Sequence, residues 1–241
     1  MTGMAVRYLH SIFAAALLVL MFVGFRHFYL EGNSGFTGGP LAEGLAIYAV
    51  PHGICATAWM LTLFLQPLLV ANRRLALHRT LGWWFLGLAV LVVITGTLVA
   101  TNAPRISPEN GAFGLSYREF VLVMLSEMVV FAGLVIAAVL NRKRRHVHRS
   151  LMLLSGLAIL SAATARIPFI QAVAGVSGWW GMFAPELVLG MLFIAARWLL
   201  VGGLDRWFAG GLAGMIAIYF VAFQLATTAT WNATLVSVFG L

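Results

Sequence analysis

Residues 72–83 read "NRRLALHRTLGW", and residues 141–153 read "NRKRRHVHRSLML". Each phrase sits between two long apolar runs. Each begins with Asn, gathers cations, and contains His-Arg, at His78-Arg79 and His148-Arg149. A short basic turn between two apolar runs is how a membrane hairpin is pinned to the cytoplasmic face. The two phrases therefore predict two helical hairpins, each with its turn on the same side of a bilayer.

Composition supports that medium. Of 241 residues, 62% are hydrophobic and 9% charged, with mean hydropathy +0.98. A soluble domain carries roughly 25% charged residues. Lipid, which demands internally satisfied backbone, suits this chain better than water. The net charge of +8 comes from 14 Arg and one Lys against seven acids. Most of these cations fall in short loops, and no soluble basic domain exists to hold nucleic acid, so none is expected as a partner.

A spanning helix needs about 20 mostly apolar residues. Seven stretches meet that: 8–26, 46–70, 80–101, 117–140, 150–172, 181–201 and 208–230. The expected fold is all-α: a polytopic bundle of seven transmembrane helices forming a single domain over residues 1–241. The stretch 150–185 contains one charge, Arg166. Its outer turn is expected in "PFIQAVAGVSGWWG", where Pro168, Gly175 and Gly178 interrupt it. The start of the chain has a signal-peptide look, but no small-residue cleavage pattern follows, so a retained first helix is expected.

Arg7, the 71–79 loop, the 141–149 loop and Arg206 gather on one side. Glu31, Glu43, Arg105 and Glu109 lie on the other. This bias predicts a cytoplasmic N-terminus and an outside C-terminus. Gly/Pro-rich 31–40 and 102–111 read as outer loops. The eight tryptophans mostly fall near helix ends, as an aromatic belt would. Gly210 and Gly214 form a GxxxG pattern suited to close helix packing. "NAT" at 232–234 fits a glycosylation acceptor. Cys55 is alone, which excludes an intrachain disulfide and a CxxC metal site.

His78 and His148 open helices that run in the same direction, at one depth. Two neutral imidazoles facing across a bundle suit the axial positions of a b haem. Arg74, Arg79, Arg145 and Arg149 stand ready for its propionates. A second reading stays open, in which each imidazole bonds a lipid phosphate or a loop carbonyl.

Ionisable residues inside apolar runs cost several kcal/mol in lipid and normally face the bundle interior. Glu127 lies about 15 Å along its helix, near mid-membrane. Arg166, Glu186 and His52 lie toward the outer side. An Arg166–Glu186 ion pair is expected, with Glu127 below it. His52, Arg166, Glu186 and Glu127, joined by Glu119 and His27, define an outer polar layer. It reads either as a structural lock or as a substrate, quinol or proton site. No catalytic residue is assigned. A retinal protein is excluded, because the single lysine, Lys143, is in a loop. Six scattered histidines do not suffice for a membrane di-iron site.

The stretch "PHGICATAWMLTLFLQPLLVANRRLALHRTLGWWFLGLAVLVVITGTLVAT", residues 51–101, resembles the first half of a cytochrome b561-type core. That resemblance implies His52 and His78 as ligand positions, His148 as the partner of His78, and electron transfer through haem b. Quinone or another redox membrane protein would be its partner. Residues 117–140 contain no histidine, so the family's partner for His52 has no counterpart. The phrases from Gln66 to Trp83 and from Arg145 to Pro168 are similar to those of an uncharacterised family of bacterial multi-pass inner-membrane proteins, which implies the bacterial inner (plasma) membrane. The alternative is a cofactor-free membrane subunit, or a small-molecule binding or transport protein using the Arg/Glu/His cluster.

Overall fold

In a computed structural model, which describes residues 2–32, 41–108, 111–174 and 177–241, the chain is an all-α bundle. In chain order the helices are α1 (Thr2–Gly24), α2 (Arg26–Glu31), α3 (Ala46–Ala71), α4 (Leu75–Ile106), α5 (Tyr117–Leu140) and α6 (Arg145–Leu157). Then come α7 (Ser161–Thr164), α8 (Pro168–Ala174), α9 (Gly178–Val201), α10 (Arg206–Ala226) and α11 (Ala229–Thr234), with a π-helical turn at Leu235–Phe239. The outer-loop residues 33–40, Glu109 and Gly175, and the side chain of Arg7, lie outside the described part.

Six helical stretches among the described residues are long and apolar enough to cross a membrane: α3, α4, α5, Arg145–Thr164, α9 and α10. Apolar α1 packs beside them against α3, α6, α7 and α9. Large apolar side chains face outward along the helices, such as Val90, Leu91, Ile94 and Leu98 on α4. In water that face would be unstable; in lipid it is the expected surface. The chain is a multi-pass membrane protein.

Helices α3, α4, α5 and α6 close a ring in which each packs against its two neighbours, so α4 and α6 stand diagonally. Helix α10 then packs on α5, α6 and α9. The repeated phrase is a repeated structure. Asn72 ends α3 and Asn141 ends α5 with nearly the same backbone angles, φ −90°, ψ 15° and φ −95°, ψ 17°. Each amide nitrogen donates back to the carbonyl four residues earlier, Leu68 or Ala137, at 2.9 Å. The same carbonyl also accepts the asparagine's main-chain N–H, at 2.9 Å for Asn72 and 3.1 Å for Asn141, so each helix closes on a doubly bonded acceptor.

The fold departs from the sequence expectation in four places. The helix expected at 150–172 is interrupted: α6 stops at Leu157 and helix resumes at Ser161. Ser155-Gly156 stands just before the break, and Ser155 Oγ donates to the Met152 carbonyl, a bond that bends helices. Helix α8 occupies the segment where the outer turn was expected. Gly210 and Gly214 meet no neighbour, whereas Gly211 takes Leu154 and Gly190 takes Leu212 at close range, so the contact faces lie elsewhere. Trp59 and Trp179 are buried; Trp59 packs edge-on against Phe131 and does not belong to a belt.

Candidate functional site

The histidines of the two repeated phrases occupy matched positions in the fold. His78 is the fourth residue of α4 and His148 the fourth of α6, so matched turns set them at matched depth on diagonal helices. Both helices border α5 within the four-helix ring. His148 Nδ1 bonds the Ala138 carbonyl at 2.9 Å, in the last turn of α5. This contact caps α5 and also fixes the ring so that Nε2 is the nitrogen left for a ligand. His78 Nδ1 is buried with no hydrogen-bond partner, and the ring neighbours the Gln66 main chain and Arg79. Two same-depth imidazoles, one oriented by a carbonyl and one with an unsatisfied nitrogen, fit the donor set of a six-coordinate b haem.

Arg79 stays with His78, but Arg149 does not join this site. It faces His10, Arg197 and Asp205 instead. That second cluster was not anticipated. The Asp205 carboxylate accepts from Ser150 Oγ at 2.8 Å and from the Phe208 N–H at 3.1 Å, and it pairs with Arg197 Nε at 3.3 Å. It thereby ties α6, α9 and α10 together at one end. Residue types alone hid it, because Arg197 and Asp205 sit at helix ends where charge is expected.

The outer polar layer separates into parts. Glu127 on α5 and Glu186 on α9 do converge, at the interruption between α6 and α7. Ser161 Oγ donates to Glu127 Oε1, and Thr164 Oγ1 donates to Glu186 Oε1 at 2.8 Å. The carboxyls lie in each other's field, and both act on Tyr219 of α10. Tyr219 donates to the Ala158 carbonyl at 2.8 Å, at the break itself. Glu127 is 7% exposed and Glu186 1%.

Arg166 does not pair with Glu186. Its Nη1 donates to the Ala162 carbonyl at 2.6 Å, and its guanidinium lies 4.8 Å from the Phe25 ring centre. Glu186 is instead satisfied on one oxygen by a hydroxyl from the same helical turn that carries Ser161. The ion pairs among the described residues are His27–Glu31 and Arg197–Asp205. His52 stands apart, with Nδ1 3.1 Å from Thr95 Oγ1 on α4. Its ring and Met128 both press on Gly96, where a Cβ would clash. Glu119 closes a capping box with Ser116 at the start of α5, and His27 pairs with Glu31 one turn on. These two are structural.

Comparison of the chain with family models, with curated proteins and with solved structures gives no match.

Proposed function

We propose that this membrane protein moves electrons through one haem b held between His78 and His148. The observation that supports the reading is the matched placement of two imidazoles, each the fourth residue of its helix, on diagonal members of one four-helix ring. Haem b, when bound, supplies a one-electron couple. The chain's own residues do the rest. The Ala138 carbonyl orients His148, the end of α3 at Gln66 encloses His78, and Arg79 offers a cation for a propionate. The absence of a histidine partner for His52 limits the assignment to the cytoplasmic end. The Glu127–Glu186 pair serves as the interior polar site, where a quinol or a proton is handled. Residence in the bacterial inner membrane belongs to the same proposal.

The test is an absorption spectrum of the detergent-purified chain from cells grown with ample haem, oxidised and then dithionite-reduced. A Soret band that sharpens on reduction is expected, and the His78→Ala, His148→Ala double variant loses it. A colourless wild-type protein overturns the reading.

A second reading is favoured by one observation. Two carboxyls with almost no exposure bond hydroxyls of one short helix, α7, without a cation from the described residues within ion-pair distance. That arrangement also suits a cofactor-free binding or transport protein. Here the histidine double variant would keep all activity, and Glu186→Gln would lose it.

A further inference from the structure

We infer that the Glu127–Glu186 pair is a binding site for a small monovalent cation, sodium in class, that exchanges with protons. The inference rests on the assignment of this pair as the interior polar site, and does not depend on haem.

The argument begins with charge. Two ionised carboxylates in a bilayer interior are prohibitively costly, and no arginine, lysine or histidine among the described residues pairs with either. Something positive must accompany them. Protons on both is one answer. The donor set points to a second state. Every group gathered here is an oxygen: the two carboxyls, Ser161 Oγ, Thr164 Oγ1, Tyr219 Oη and the Ala158 carbonyl. No nitrogen or sulfur donor takes part in these bonds, which selects for a hard cation.

The independent observation is Glu186 Oε2. It is buried without any hydrogen-bond partner, on a residue 1% exposed, while its sister oxygen is held by Thr164. A buried, unpaired carboxylate oxygen is an open ligand position. The helix interruption at residues 158–160 supplies the setting. Interrupted membrane helices present main-chain carbonyls to cations, and irregular backbone at membrane depth persists where such groups line a site. Charge sets the stoichiometry. One bound monovalent ion balances one carboxylate and the other keeps its proton, so each cation entering releases one proton. A divalent ion would have to shed a far more tightly held water shell.

The test is the thermal-unfolding midpoint of the purified full chain in NaCl, KCl and choline chloride at constant ionic strength and mildly alkaline pH. A ligand that binds only the folded state raises the midpoint with its concentration. A saturable rise in sodium is expected, larger than in potassium and absent in choline. It should weaken as pH falls and vanish in Glu186→Gln. Should Glu186→Gln not fold, Thr164→Val keeps both carboxyls and is expected to raise the half-saturating sodium concentration several-fold. Binding of radioactive sodium ions to the wild type gives a second readout. The His78→Ala, His148→Ala variant retains the sodium response, so loss of haem and loss of the cation site are read separately. Equal midpoints in all three salts overturn the inference, as does a sodium shift that survives in Glu186→Gln.

Discussion

Single residues at the α6–α7 interruption decide how closely helices approach. Gly24 packs on the backbone of Ala163, and a Cβ there would stand 2.3 Å from the Ala163 carbonyl oxygen. Backbone cannot rotate away as a side chain can, so Gly24→Ala must push α1 off α7. A loss of about 1–3 kcal/mol is expected, the usual cost of overpacking, read as a lower unfolding midpoint in detergent. Tyr219→Phe tests the same region from α10. The ring stacks on Phe183 with centroids 4.6 Å apart and would stay, while the Ala158 carbonyl loses its hydroxyl partner. The expected cost is about 1–2 kcal/mol, that of one unsatisfied buried acceptor. Unfolding of the variant against wild type checks it. No residue in this neighbourhood announces itself in the sequence except Glu127 and Glu186. Ser161, Thr164 and Tyr219 are ordinary polar residues until the interruption turns them inward.

Helical elements explain both what the sequence revealed and what it withheld. Apolar length and basic turns located the helices well, since both signals are local. The repeated phrases were legible as matched turns, and the shared Asn back-bond shows why: each ends a helix with a side-chain amide. The interruption after α6 was not legible. It carries no proline and no charge, only a Ser-Gly pair in an otherwise apolar run. Helix azimuth was also hidden. Arg149 and His148 are adjacent in sequence yet meet different neighbours, and Arg166 bonds the Ala162 carbonyl although it and Glu186 share a depth. Asp205 joins three helices: it caps α10, receives Ser150 of α6 and holds Arg197 of α9. Asp205→Ala leaves a largely buried guanidinium unpaired and a helix start uncapped. A loss of about 3 kcal/mol is expected, measured by thermal or denaturant unfolding of the purified protein.

The whole molecule carries two proposed sites in one bundle. Basic turns and the paired imidazoles lie at the end assigned to the cytoplasm, and the carboxyl pair lies deeper, at the junction of α5, α7, α9 and α10. The ring of α3 to α6 makes this possible, because two consecutive hairpins return both histidines to the same face and place them diagonally. Everything proposed at the cytoplasmic end depends on that return. The most direct measurement is a pulsed-EPR distance between spin labels at His78→Cys and His148→Cys in a Cys55→Ala background. Labels meeting across the bundle give a narrow, short distance, far below the roughly 30 Å thickness of the hydrocarbon layer. A separation equal to that thickness or greater places the two turns on opposite faces and contradicts the account.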